Sequence, residues 1–268
     1  ELPDGTFLGE PLRQAIADGA VSEDVVDRML VRRYTPMFRL GLFDRPPDPV
    51  DLPVEEHGAI AAGIAASGTV LLRNRGDLLP LTDDVASVAV VGPASTSAAT
   101  GTGTVGPNAG SEGSRRVTPV EGIGARAGED VEVLLPADGS VAAAVQVAET
   151  ADVAIVIVGD RAVADRDRTT LALPDGHDAL IAGVAAANDD TVVVVHAGGP
   201  VLMPWVDDVD AVVMGWYPGG EDGNVTASLL FGDTEPGGRL PITFPANDLS
   251  VPAIAPERYP GIGGVATY

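Results

Sequence analysis

Residues 153–158 read Val-Ala-Ile-Val-Ile-Val, and this stretch decides the fold. A strand with one face in water alternates apolar and polar residues, whereas this one is apolar on both faces. Strands of that kind lie in parallel sheets whose two faces are covered by helices. The run is also far too short to cross a bilayer as a helix. We therefore expect a buried central strand in an α/β domain.

Similar apolar runs recur on both sides of this stretch, and segments with helical spacing separate them. The further predicted strands are 69–72, 87–91, 131–135, 191–195 and 211–214. The predicted helices are 55–67, 140–150, 175–187 and 223–231, with another that begins near Pro119. This repetition predicts a three-layer α/β/α sandwich with a mostly parallel sheet of about six strands. Ligands of such sheets bind where the parallel strands end, so the loops after Val91, Val158, His196 and Met214 are the candidate site.

The first fifty residues have a different pattern. Ser22 is a candidate N-cap for an amphipathic helix, which Pro36 is expected to end or kink. The Pro-rich stretch 45–49 then marks a linker. We predict a helical lead-in and linker over 1–50, an α/β sandwich over 51–247 and a C-terminal extension over 248–268.

The composition excludes several classes of function. Hydrophobic residues make up 45% of the 268 residues, enough for a sizeable core. The net charge of −23 argues against nucleic acid and anionic membranes as partners, because both would be repelled. GC-rich codon usage and adaptation to high salt both remain open as origins of this acidity. Since the chain contains no Cys, it has no disulfide, thiolate zinc site or catalytic thiol.

The loop over 159–168 carries three Asp and three Arg directly after the central strand. Such a run is typical of a solvated surface whose charges pair with one another. Its place at the end of a parallel strand also allows a substrate-facing loop with a carboxyl group for acid/base catalysis. Both interpretations stay open on the residues alone.

Other polar and aromatic features give weaker signals. His57 and His177 lie in helical segments and are expected to be surface or packing residues, whereas the role of His196 is open. Their spacing supports no metal site. Residues 101–106 match GxGxxG, but no helix follows directly, which disfavours nucleotide binding. For Trp205 and the pair 216–217, sugar stacking is possible and core packing is preferred.

Five segments follow one another along the chain: Val-Leu-Leu-Arg-Asn at 70–74, Leu-Leu-Pro-Leu at 78–81, Gly-Gly-Pro-Val-Leu-Met-Pro-Trp at 198–205, Trp-Tyr-Pro-Gly-Gly at 216–220, and 230–245. In this fixed order they resemble the second domain of glycoside hydrolase family 3, the β-glucosidase and β-xylosidase group. The resemblance covers essentially the whole chain. Residues 1–3 are similar to the family segment that leaves the catalytic barrel, and residues 38–44 are similar to the joint that leads into the sandwich. Both chain ends resemble cuts through a longer enzyme.

The resemblance implies a retaining hydrolase that acts on a β-linked glucoside or a related glycoside, without a cofactor. Its nucleophile is an Asp on a (β/α)8 barrel that precedes this domain, and that barrel is the expected partner. The acid/base is usually a Glu on a loop of the sandwich, so the chain alone is expected to be inactive. Many relatives are secreted, which favours an extracellular location. The alternative is a non-catalytic carbohydrate-binding or scaffolding domain of the same fold.

The family's acid/base Glu commonly stands three residues before an Asp-Arg pair and a later Leu-Pro. Asp167-Arg168 and Leu173-Pro174 match that frame, but the expected position of the Glu holds Ala164. Three interpretations remain open: an engineered loss of the acid/base, a natural variant in which Asp165 or Asp167 acts, or a frame shifted by a residue or two. The candidate catalytic positions are therefore Ala164, Asp165 and Asp167, with Arg168 as a candidate substrate-binding residue.

Overall fold

The computed structural model describes residues 8–45, 51, 53–97, 99, 116–160, 168–174 and 176–250, except for the side chain of residue 249. The chain divides into two compact units, Glu1–Leu52 and Pro53–Tyr268. The predicted sandwich lies in the second unit.

In its described residues the first unit contains two helices, α1 (Glu10–Ala17) and α2 (Glu23–Arg39). Ser22 holds the N-cap position of α2, as predicted. Of the two effects predicted for Pro36, an end of the helix is wrong, because α2 continues to Arg39. Pro36 lies in the last turn, and its carbonyl oxygen accepts a hydrogen bond from Leu40 N at 2.9 Å. Its ring nitrogen carries no hydrogen, so the helix lacks one backbone hydrogen bond at this position and continues past it.

The second unit is built on one sheet, which has six strands in the described part of the chain. In chain order these are β1 (Val70–Asn74), β2 (Ser87–Val91), β3 (Glu132–Leu134), β4 (Val153–Gly159), β5 (Thr191–His196) and β6 (Ala211–Met214). Their spatial order is β1-β6-β5-β4-β2-β3. All neighbours are parallel except β1, which runs antiparallel to β6. The predicted, mostly parallel α/β fold is confirmed.

Helices cover both faces of this sheet. They are α3 (Val54–Gly68), α4 (Pro119–Ala127), α5 (Val141–Ala148), α6 (His177–Ala187) and α7 (Asp222–Leu230). Residues of α5 and α6 pack with one face of the sheet, and residues of α4 and α7 pack with the other. Both core clusters draw residues from β4, which is buried from Val153 to Val158. The apolar stretch that predicts the fold therefore forms the centre of both cores.

The helices α4 and α7 meet at two glycines. A Cβ atom added to Gly122 would overlap the backbone of Gly223, and one added to Gly223 would overlap the carbonyl group of Thr118. The start of α4 is fixed by a capping box, in which Thr118 Oγ1 accepts from Glu121 N and Glu121 Oε2 accepts from Thr118 N. The backbones of the two helices can approach this closely only because neither position carries a side chain.

None of the helices in the described ranges is long and apolar enough to cross a membrane.

Candidate functional site

The sheet topology selects one place along its edge for a ligand. The chain passes from β2 to β3 in one direction, and the next strand, β4, lies on the opposite side of β2. The connecting helices change face at the same point, from α4 on one side to α5 and α6 on the other. The switch point of the fold is therefore between β2 and β4, at the ends marked by Val91 and Gly159. In open α/β sheets, ligands bind in the crevice at this point.

The loop that follows β2 is held against β4 at this crevice. Ala94 N donates a hydrogen bond to Ile157 O at 3.2 Å. Gly92 has a φ of 106°, and a Cβ atom there would overlap the same carbonyl oxygen. The left-handed conformation and the close approach both require glycine at this position. The loops after β2 and β4 therefore begin side by side at the same edge of the sheet.

Asp160 is the first residue after β4, and its carboxylate lies at the centre of a polar cluster. Its side chain is only 2% exposed. Oδ1 accepts a hydrogen bond from Tyr217 Oη, and Oδ2 accepts one from Gly198 N at 3.2 Å. Asp160 N donates to His196 O at 3.0 Å. One carboxylate therefore links the loops that follow β4, β5 and β6.

Arg168 joins the same cluster from the other end of the charged loop. Its Nη1 lies 3.6 Å from Asp160 Oδ2, and its Nη2 donates to Pro200 O at 2.8 Å. The guanidinium thus forms an ion pair with Asp160 and a hydrogen bond with the loop after β5. That Arg168 also binds substrate stays a prediction. The other predicted site residues, Ala164, Asp165 and Asp167, lie outside the described residues.

Tyr217 presents its hydroxyl to this cluster as a donor. Burial raises the pKa of the Tyr217 phenol, and the hydrogen bond to Asp160 raises it further. The phenol therefore keeps its proton at neutral pH. Gly198 makes room for the ring, since a Cβ atom there would lie 2.9 Å from Tyr217 Cε2. The preference for packing over sugar stacking at Tyr217 stays a prediction.

The two tryptophans near the edge are also held by the protein itself. Trp205 is 2% exposed and belongs to the core, and its Nε1 donates to Asp178 Oδ1 at 2.9 Å. Trp216 Nε1 donates to Gly68 O at 3.0 Å, and its ring contacts Phe244 edge-on. The prediction of core packing is confirmed for Trp205.

A second polar pair lies buried beneath the edge, and sequence analysis did not identify it. His196 Nε2 lies 3.3 Å from Asp222 Oδ1, and both side chains are at most 2% exposed. Asp222 Oδ2 also accepts from Ala99 N at 2.8 Å, and Oδ1 accepts from Thr226 Oγ1 at 3.1 Å. A Cβ atom on Gly215 would lie 2.9 Å from His196 Cδ2, so the imidazole needs glycine there. The pair ties β5 to α7 and to the loop after β2.

Burial sets the protonation of this pair. It lowers the pKa of His196, and the nearby Asp222 opposes that shift only in part. It raises the pKa of Asp222, while His196, Ala99 and Thr226 oppose the shift. At neutral pH His196 is therefore uncharged in the folded protein.

The neutral, buried His196 makes stability depend on pH. The unfolded chain takes up a proton on this residue near pH 6.5, whereas the folded chain takes it up only at lower pH. Stability is then fully present above about pH 6.5 and falls as the pH drops toward the folded pKa. We expect His196→Asn to reduce the slope of unfolding free energy against pH between about 6.5 and 5, by up to about 1.4 kcal/mol per pH unit.

Urea unfolding at a series of pH values checks this slope. The matched control is His57→Asn, which removes an exposed histidine of α3. A His196→Asn slope equal to that of the control would contradict the assignment of a neutral buried imidazole.

In the part of the chain that the structure describes, no group of three or more His, Asp or Glu side chains is placed to hold a metal ion.

The buried polar residues of this edge share one signal in the sequence. Asp160, His196 and Tyr217 each lie at the end of a parallel strand or within three residues of it. Polar residues at those places were visible, but which of them are buried together depends on the strand order. Asp222 gives no such signal, because it follows β6 by eight residues and opens a helix.

Comparison with known proteins places these features in a family. A family model described as the glycosyl hydrolase family 3 C-terminal domain matches residues 69–264. A probable beta-D-xylosidase 6 of Arabidopsis thaliana is 31% identical over 96% of this chain, which spans 36% of that protein. A beta-glucosidase of Rhizobium radiobacter is 43% identical over 49% of this chain and 17% of its own length. The chain thus spans about a third or less of these relatives.

Solved structures give the same result for the fold. The beta-glucosidase DesR of Streptomyces venezuelae, solved in complex with D-glucose, matches with a TM-score of 0.81 and 26% identity. The match covers 98% of this chain and 49% of the other. The beta-D-glucoside glucohydrolase of Trichoderma reesei matches with a TM-score of 0.73 and 28% identity, over 89% of this chain and 38% of the other.

Proposed function

This chain belongs to glycoside hydrolase family 3, whose C-terminal domain it carries, and we propose that it supplies the acid/base loop of a retaining β-glycosidase. In this proposal the substrate is a β-linked glucoside or a related glycoside. The nucleophile is an Asp on an N-terminal (β/α)8 barrel of a longer protein. The domain limits 1–50, 51–247 and 248–268 belong to the same proposal.

The observation that carries this proposal is the position of the charged loop in the sheet. The loop leaves β4 at Gly159, next to the switch point between β2 and β4. Its far end, Arg168, is attached to Pro200 at the same edge. A carboxyl group carried there lies at the edge where ligands of α/β sheets bind. The net charge of −23 is compatible with a neutral sugar as substrate, because an uncharged molecule is not repelled.

The chemistry needs two carboxyl groups with different roles. In a retaining enzyme they stand about 5–5.5 Å apart, one on each side of the scissile bond. One attacks the anomeric carbon while the other protonates the departing oxygen. The second then removes a proton from the water that breaks the glycosyl-enzyme bond. In our proposal this second group is Asp165 or Asp167, because Ala164 has no carboxyl group.

The proposal is tested in the longer enzyme by separating protonation from the rest of the reaction. Asp165→Asn and Asp167→Asn are assayed on an alkyl β-glucoside, whose leaving group needs a proton, and on 2,4-dinitrophenyl β-glucoside, whose leaving group does not. Loss of the acid is expected to lower kcat/KM about 100-fold or more on the alkyl glucoside and to spare it on the activated one. The stereochemistry of the first product, followed by NMR, is expected to show retention.

Two further variants complete this test. Ala164→Glu is expected to raise turnover of the alkyl glucoside if position 164 is the acid/base position of the family. Asp189→Asn, which changes an exposed residue between α6 and β5, is the charge-matched control. If neither Asp variant nor Ala164→Glu alters the alkyl reaction, the loop does not carry the acid/base.

The second candidate, a non-catalytic carbohydrate-binding domain, is favoured by one observation, the Ala at position 164. Binding of glucose by the longer protein without hydrolysis of either glucoside would select it.

A further inference from the structure

We propose that Asp160 is a positioning residue, which sets the place of the acid/base group by fixing both ends of the charged loop. This inference rests on the proposed function and deepens it. Asp160 does not touch substrate in this account, because its side chain is 2% exposed and its carboxylate is already surrounded by the protein. Its effect on the reaction is exerted through the segment that follows it.

Burying the carboxylate of Asp160 costs free energy. An ionised group removed from water is tolerated only where hydrogen bonds and opposite charge replace the lost hydration. Asp160 receives a hydroxyl from Tyr217, a backbone N–H from Gly198, and the guanidinium of Arg168 at 3.6 Å. These groups come from three chain segments, so moving the carboxylate breaks contacts with all of them. The protein therefore holds this carboxylate through contacts with three separate segments.

Asp160 and Arg168 also lie at opposite ends of the charged loop. Asp160 and Arg168 are the described residues on either side of 161–167, which contains Asp165 and Asp167. Their side chains are paired, so the two ends are joined to each other. Arg168 is tied further to Pro200 O at 2.8 Å, and Asp160 to His196 O through its own N–H at 3.0 Å. Both ends of the charged loop are thus hydrogen-bonded to backbone at or just after the end of β5.

A small displacement of a catalytic acid has a large effect on the rate of proton transfer. Proton transfer requires the acid to be within hydrogen-bond distance of the departing oxygen. A misplacement of about 1 Å by a change elsewhere can lower the rate about 100-fold. A residue that fixes the ends of the loop therefore acts on protonation while leaving attack by the distant nucleophile intact.

Two variants break different sides of the cluster. Tyr217→Phe removes one donor and leaves the contacts to Gly198 and Arg168. Asp160→Asn keeps an acceptor for Tyr217 but places an amide N–H, in place of an oxygen, opposite Gly198 N–H and Arg168. Each is measured in the longer enzyme on an alkyl β-glucoside and on 2,4-dinitrophenyl β-glucoside. We expect kcat/KM on the alkyl glucoside to fall about 10- to 100-fold, more for Asp160→Asn, with little change on the activated substrate.

Azide gives a second measurement. Hydrolysis of the glycosyl-enzyme also uses the acid/base group, so kcat on the activated substrate is expected to fall in both variants. Added azide, which needs no general base, is expected to restore that kcat and to yield glycosyl azide. A merely structural role would lower both substrates in proportion, together with the melting temperature, and azide would restore nothing.

The controls separate failure of this inference from failure of the proposed function. Asp189→Asn matches the charge change, and Tyr34→Phe removes a hydroxyl from α2 in the first unit. If Asp165→Asn or Asp167→Asn shows the acid/base signature and both cluster variants behave like these controls, Asp160 does not position the loop. If neither loop variant shows that signature, the proposed function itself fails. Should Asp160→Asn not fold, Tyr217→Phe alone decides.

Discussion

Gly122→Ala is expected to destabilise the α/β unit by about 3 kcal/mol, the upper part of the range for overpacking a close contact. The new methyl group would overlap the backbone of Gly223, and a backbone cannot turn aside as a side chain does. Relief requires α4 and α7 to separate. Separation in turn loosens the packing of Ile123 and Leu230, which are almost fully buried against the same face of the sheet.

The same helix supplies the control for this prediction. A Cβ atom on Gly124 meets nothing within 4 Å. Gly124→Ala is therefore expected to stabilise by about 0.5–1 kcal/mol, because it removes only the entropy cost of glycine in a helix. Urea unfolding followed by tryptophan fluorescence measures both variants, since Trp205 and Trp216 lie in this unit. Equal stability of the two variants would contradict the close crossing of the helices.

Asp222→Ala is expected to cost about 3 kcal/mol, because it leaves buried donors without an acceptor. Ala99 N loses its 2.8 Å hydrogen bond, and Thr226 loses its partner at 3.1 Å. The variant also removes the group that faces His196 Nε2. A negative charge at the N-terminus of α7, where the helix dipole favours it, is lost as well.

The isosteric change should behave differently. Asp222→Asn keeps an oxygen for Ala99 N and removes a carboxylate whose pKa is raised by burial. We expect it to cost less than about 1 kcal/mol at neutral pH, since the lost hydrogen-bond strength is offset by the lower cost of burying a neutral amide. Asp84→Ala, at an exposed turn before β2, is the control for loss of an Asp. If Asp222→Ala unfolds at the same urea concentration as this control, the network under the edge contributes no stability.

Much of the fold could be predicted because the chain separates its local signals clearly. Residues 153–158 are apolar on both faces, and the structure buries all of them in the central strand β4. The helix α4 begins at Pro119 and α5 begins at Val141, because the side chains of Thr118 and Ser140 cap them. Runs of this kind are set by local sequence and burial, which are visible without a structure.

What could not be predicted depends on which segments become neighbours. The direction of β1 follows from its pairing with β6. In this pair Val70 lies opposite Met214, although about 140 residues separate them in the chain. The cluster around Asp160 exists because β4, β5 and β6 end side by side, so that Gly198 and Tyr217 reach one carboxylate.

The reversed direction of β1 also creates a place for a spectroscopic probe. Because β1 runs against its neighbours, the turns between it and β2 lie at the edge of the sheet where β2 begins, opposite to the end that carries Asp160. Asp84 is exposed in one of these turns. Since the chain contains no Cys, Asp84→Cys would provide a unique thiol for a fluorophore or spin label. A label there reports on the unit from a full sheet's length away from the chemistry.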